Sequence, residues 1–175
     1  MSKVKKSHIT LRIDAKNLEK LRQEAQEKSL STNVLINQIF DSYTSWHSYA
    51  PQAGMISVLR DLPVLLFDNM TFPELEKLAK KIITAKIHDI VLLLNGEFNF
   101  ESAVSLAKSW LKVSGFPYRY ETANSSYKLI MQFDMGKKWS FFIARCFEEM
   151  FHTIKEIKTQ SEVTDNSVAL ILKKV

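Results

Sequence analysis

Three residues near the start of the chain, His8, Thr10 and Arg12, stand two apart, and each ends in hydrogen-bonding groups. An imidazole donates or accepts according to its tautomer, a hydroxyl does both, and a guanidinium presents a planar fork of donors. This set suits the reading of base edges. Arg forks onto a guanine edge, and Thr meets a base edge or a thymine methyl. Upstream, Lys3, Lys5 and Lys6 form a basic arm, which fits a phosphate backbone as well as it fits a solvated terminus. Downstream, Ser31, Thr32 and Asn33 precede a run with helical spacing. The free amides and the dipole of a helix start favour an anion, and Ser31 can cap that start at the same time.

The elements that must position these groups follow from the pattern between them. His8, Thr10 and Arg12 alternate with Ile9, Leu11 and Ile13. Period two predicts a strand with one polar and one apolar face. Asp14 or Asn17 can cap a helix carrying Leu18, Leu21 and Ala25, and the run from Ser29 to Asn33 breaks it. A second helix follows with Leu35, Ile36, Ile39, Phe40 and Tyr43 on its stripe, ending near Trp46 or His47. One strand and two short helices make no core alone, and a lone strand leaves backbone groups unpaired on both edges. A two-fold dimer solves both problems. Its strands pair antiparallel and its helices pack behind, with Ile9, Leu11, Ile13, Leu21, Ile36 and Phe40 forming the shared core. The polar faces of both strands then form one ribbon of the width of the major groove.

This order of parts, over about residues 5–46, resembles the ribbon-helix-helix repressors of the Arc and MetJ type, which read DNA with a β-ribbon. The resemblance implies that His8, Thr10 and Arg12 contact bases and that Ser31, Thr32 and Asn33 hold a phosphate. The chain departs from the pattern at Ser29, where many members have Gly because the left-handed conformation costs it little.

Composition narrows the rest. The chain has 175 residues and a formal net charge of +5, room for a small module and a medium one. The first 47 residues carry eight Lys/Arg against five Asp/Glu, so +3 of the excess lies at the front. Cys146 is the single cysteine, which forbids an internal disulfide and fits a reducing, cytoplasmic location. Residues 1–7 are basic and polar with no apolar run behind them, unlike a signal peptide. The apolar runs at 62–67 and 90–94 are too short to span a bilayer.

Beyond a junction at 44–54, rich in breakers and aromatics, the spacing predicts a second domain of the α+β class over 48–175. Helices are expected between 55 and 86, the second of them starting at Thr71-Phe72-Pro73-Glu74 with a capping-box spacing. A buried-type strand at His88–Leu94, a helix at Phe100–Val113, strands at Pro117–Thr122 and Tyr127–Asp134, a long helix at Gly136–Lys158 and a strand at Ser167–Lys174 complete the expectation. The alternative for the first of these is that residues 87–94 continue the preceding helix. The order β-α-β-β-α-β over 88–175 is the ferredoxin-like one. The segment from Tyr127 to Ser140 is faintly similar to uncharacterised extensions of archaeal regulators, and that likeness implies no activity. Ribbon-helix-helix repressors that sense nickel carry a ferredoxin-like domain behind the DNA module, an analogy of fold alone.

No other chemistry stands out. His8, His47, His88 and His152 are scattered and form no ligand-spaced pair with Cys146, so no metal and no cofactor is expected. Gly136-Lys137-Lys138 opens a helix without the glycine spacing of a phosphate loop, and solvated lysines are the simpler reading. No nucleophile motif or carboxylate set marks an enzyme. Tyr118, Tyr120, Tyr127 and Trp139 fit core packing first and an apolar effector pocket second. The expectation is a homodimeric, sequence-specific regulator that binds double-stranded DNA, with a back domain for an unknown small-molecule effector, for pairing of dimers into tetramers, or for both. The competing readings are an antitoxin-type interaction module and an enzyme tethered to DNA. Antitoxin tails are commonly short and disordered when free. The sustained apolar stripes of the back half argue instead for an autonomous fold.

Overall fold

The computed structural model describes residues 7, 9–123, 126–155 and 157–174. The chain divides into two compact units, Met1–Tyr43 and Thr44–Val175.

The first unit holds two helices, α1 (Ala15–Glu27) and α2 (Thr32–Ser42). Asp14 occupies the cap position of α1 through its carbonyl, which accepts from Leu18 N–H at 2.9 Å, while its side chain caps nothing. The helix ends in a Schellman arrangement. Leu30 N–H reaches back to the Ala25 carbonyl at 2.8 Å, Ser29 N–H reaches that of Gln26 at 3.0 Å, and Ser29 takes φ +53°. The departure from glycine therefore stands at the one residue of this turn that has to be left-handed, and the backbone geometry is reached all the same. Ser31 accepts from Val34 N–H at 3.2 Å and starts α2.

Residues 9–14 form neither helix nor strand. A strand exists only as one side of a ladder, and the one sheet among the described residues lies in the other unit. The strand expected there is not formed within a single copy of the chain.

A π-helical turn, Tyr43–His47, follows α2. The second unit is a mixed α+β structure with α3 (Asp61–Asp68), α4 (Phe72–Asn95), α5 (Phe100–Val113), β1 (Tyr118–Ala123), β2 (Ser126–Gln132), α6 (Gly136–His152), β3 (Ile157–Val163) and β4 (Ser167–Lys174). Its sheet is antiparallel throughout, in the order β1-β2-β4-β3. Leu129 pairs with Leu170 and Met131 with Val168, so the buried residues of the two central strands share one face. The helices cover that face: α6 packs on β3 and β4, and α4 packs on α6. Leu75, Ala79 and Val91 of α4, Leu111 of α5 and Phe151 of α6 are completely enclosed. The opposite face carries Arg119, Lys128, Gln160 and Glu162, the polar-out arrangement open to antiparallel sheets.

The ferredoxin-like order is corrected at two points. His88–Leu94 is helical and belongs to α4. Its apolar residues include Ile87, Ile90, Val91 and Leu94, spacings of three and four that continue the stripe of Leu75, Ala79 and Ile83. Asn95-Gly96 is consequently a helix stop, with Gly96 at φ +79° and its N–H bonded to the Leu92 carbonyl. The second correction concerns α6, which ends at His152 rather than Lys158. Ile157, Thr159, Ser161 and Val163 alternate with polar residues and pair with β4 as an edge strand. The helices expected over 55–86 are also shorter at the front. Regular structure begins at Asp61, which places Pro63 in the first turn, where its missing N–H leaves no intrahelical bond unmade.

Among the described residues, no helix is long and apolar enough to cross a membrane.

Candidate nucleic-acid interface

Among the described residues of the first unit only Ala25 and Leu35 are buried. Ile9 is 77% exposed, Leu11 44%, Val34 44% and Ile39 42%, and Phe40 is about half exposed. Ile13, Leu21 and Ile36 are half-buried. Ile9, Leu11, Val34 and Phe40 line one open groove of about 1340 Å³ together with Ile13, Leu18 and Ile36. A unit of this size with two enclosed apolar side chains lacks the core that a small domain needs to fold alone. Its apolar surface is gathered along one face rather than scattered, and single scattered residues are what a monomer surface ordinarily shows.

Thr10 and Arg12 are exposed and alternate with Ile9 and Leu11. Arg12 also borders the groove. His8, the third expected reading residue, and Lys3, Lys5 and Lys6, the expected arm, lie outside the described residues. At the start of α2, Ser31 and Asn33 are exposed and Thr32 is half-buried. The Ser31 hydroxyl is engaged with Val34 N–H, and Asn37 donates to the Asn33 carbonyl at 2.7 Å. The first of these bonds satisfies one of the free N–H groups at the start of α2.

The other expectations about chemistry fall in the second unit. Lys138 donates to the Asp68 carbonyl at 2.8 Å, so it satisfies the free carbonyl end of α3 rather than facing solvent. Gly136 N–H, at the start of α6, is taken by the Asn166 side chain. Burial pushes the Cys146 thiol up to about 12, so it remains a neutral thiol at physiological pH. Tyr120 and Tyr127 stack with ring centroids 6.2 Å apart, and Tyr127 meets Phe100 at 4.7 Å. Trp139 sits within a cluster with Phe67, Phe116, Phe133 and Phe142. No periodicity argument could have found the polar cluster of Arg145, Glu148 and Ser161. Arg145 and Glu148 are paired at 2.6 Å along α6, and Ser161 reaches Glu148 from β3, a strand that the spacing does not predict and that overlaps the expected helix only at residues 157–158.

No family model and no curated protein matches the chain.

Proposed function

We propose that this protein is a homodimeric, sequence-specific DNA-binding regulator whose first unit acts as a ribbon-helix-helix module. The observation that carries the reading is the uncovered apolar face formed by Ile9, Leu11 and Val34, in a unit whose residues 9–14 pair with no strand among the described residues. A second copy meets both needs at once. Antiparallel pairing of residues 9–13 supplies the missing ladder, and the apolar faces of two copies cover each other. Side chains alternate along a strand, so this pairing turns Thr10, Arg12 and His8 of both copies to the outer side of the ribbon. There Arg12 forks onto guanine, and Thr10 and His8 contact neighbouring edges. The start of α2, with Ser31, Thr32 and Asn33, holds a backbone phosphate, and Lys3, Lys5 and Lys6 add contacts indifferent to sequence.

The second unit encloses a core of its own. That supports a folded regulatory or assembly domain over a short interaction tail.

The test is selection of a binding site from random duplex DNA, followed by binding of Arg12→Ala to the selected site and to random DNA at one salt concentration. The expected loss is about 1–3 kcal/mol per contacted base on the selected site, with little change on random DNA. An equal loss on both would make Arg12 a phosphate contact. Selection of no sequence at all would defeat the reading.

A further inference from the structure

The second unit contains a cleft of about 580 Å³ whose lining includes Trp46, Trp110 and Trp139, all three tryptophans of the chain. Its size lies within the range of small-molecule sites, which are mostly apolar with a few placed polar groups. Here the polar lining includes His47, Ser57, Ser114 and one full-time cation, Arg60. Arg60 lines the cleft, and its Nη2 donates to the Ser114 carbonyl at 3.1 Å while the guanidinium lies 4.9 Å from the Phe116 ring centre. These contacts hold the cation against an aromatic wall with further N–H donors left over. Trp46, Met55 and Trp110 also line a smaller, partly open apolar recess of about 150 Å³, bounded by aliphatic, aromatic and sulfur-bearing side chains. A recess of that size has room for a single ring.

We propose that the cleft binds a small carboxylic acid with an aromatic or short aliphatic body. The body lies among the tryptophans toward the smaller apolar recess, and the carboxylate takes the charge of Arg60. A cation favours a carboxylate over an amide, because a charged acceptor strengthens the hydrogen bond. Every residue of this site belongs to the second unit, so the assignment does not depend on the DNA reading.

The experiment uses the full chain and no DNA. Tryptophan fluorescence is followed during titration with phenylacetate, 3-phenylpropanoate, octanoate and, as the neutral control, phenylacetamide. At least one acid should give a saturable change and raise the melting temperature, and phenylacetamide should bind at least tenfold more weakly than phenylacetate. Arg60→Gln should bring the acid down to the level of the amide, whereas Arg60→Lys should keep part of the preference. Should Arg60→Gln fail to fold, the comparison of acid with amide on the wild-type chain decides. The proposal is overturned if none of the three acids gives a saturable change, or if acid and amide bind alike. It is equally overturned if a folded Arg60→Gln binds the acid as the wild type does.

Discussion

Ile9→Ala separates the proposed dimer from a self-sufficient first unit. Ile9 is 77% exposed in a single copy, so shortening it removes little that one copy uses. In the dimer the same side chain becomes core. Fully burying an isoleucine stabilises by about 2 kcal/mol, so covering its exposed three-quarters is worth roughly 1.5 kcal/mol per copy. Two copies lose roughly 3 kcal/mol between them, and at about 1.4 kcal/mol per factor of ten the dissociation constant rises roughly 100-fold. Sedimentation equilibrium over a range of concentrations measures this directly. Thr10→Ala is the matched control, since it lies one residue along on the opposite face, and it should leave the dimer constant unchanged while weakening specific DNA binding. A wild-type chain that sediments as a monomer at tens of micromolar would refute the reasoning. So would an Ile9→Ala chain with the dimer constant of the wild type.

Three further outcomes are expected. Replacing Lys3, Lys5 and Lys6 by Gln should weaken binding to all DNA and flatten its salt dependence, measured as the slope of affinity against salt concentration. Ser29→Gly should raise the melting temperature of the first unit, because the left-handed φ of +53° costs a non-glycine residue about 1–2 kcal/mol, partly offset by the ~0.5–1 kcal/mol of freedom that glycine loses on folding. Glu74 accepts from Thr71 N–H at 2.7 Å, and this bond, with that from the Thr71 hydroxyl, holds its carboxyl below the usual value of 4.5. A depressed folded-state pKa contributes stability above the unfolded pKa and loses it as pH falls through the folded value. Glu74→Gln should therefore melt lower than the wild type at pH 7, and the gap should close in acid.

Most helices could be read directly from the order of residues. Thr71-Phe72-Pro73-Glu74 does start α4, and Phe100–Val113 is a helix over its full expected span, because caps and apolar stripes are local signals that act within one or two turns. The β1–β2 hairpin was legible for the same reason, since a polar turn between two alternating runs brings neighbours together. The failures came where two periods compete. The short run at 88–94 satisfies both a buried strand and a helix, and only the burial of Val91 beside the rest of the α4 stripe decides it. Ile157–Val163 carries a weak alternation that becomes a strand because β4 offers an edge, with Thr159 opposite Leu172. Strand formation is a property of a pair, so one segment cannot announce it. The same limit holds for residues 9–13. Their alternation implies a strand, but a ladder needs a partner, and the described residues of one chain supply none. The cleft around Arg60 and Trp139 shows the other side of this division. Its walls come from residues far apart in the chain, Trp46, Arg60, Trp110 and Trp139, and spacing along a sequence carries no information about side chains that only packing brings together.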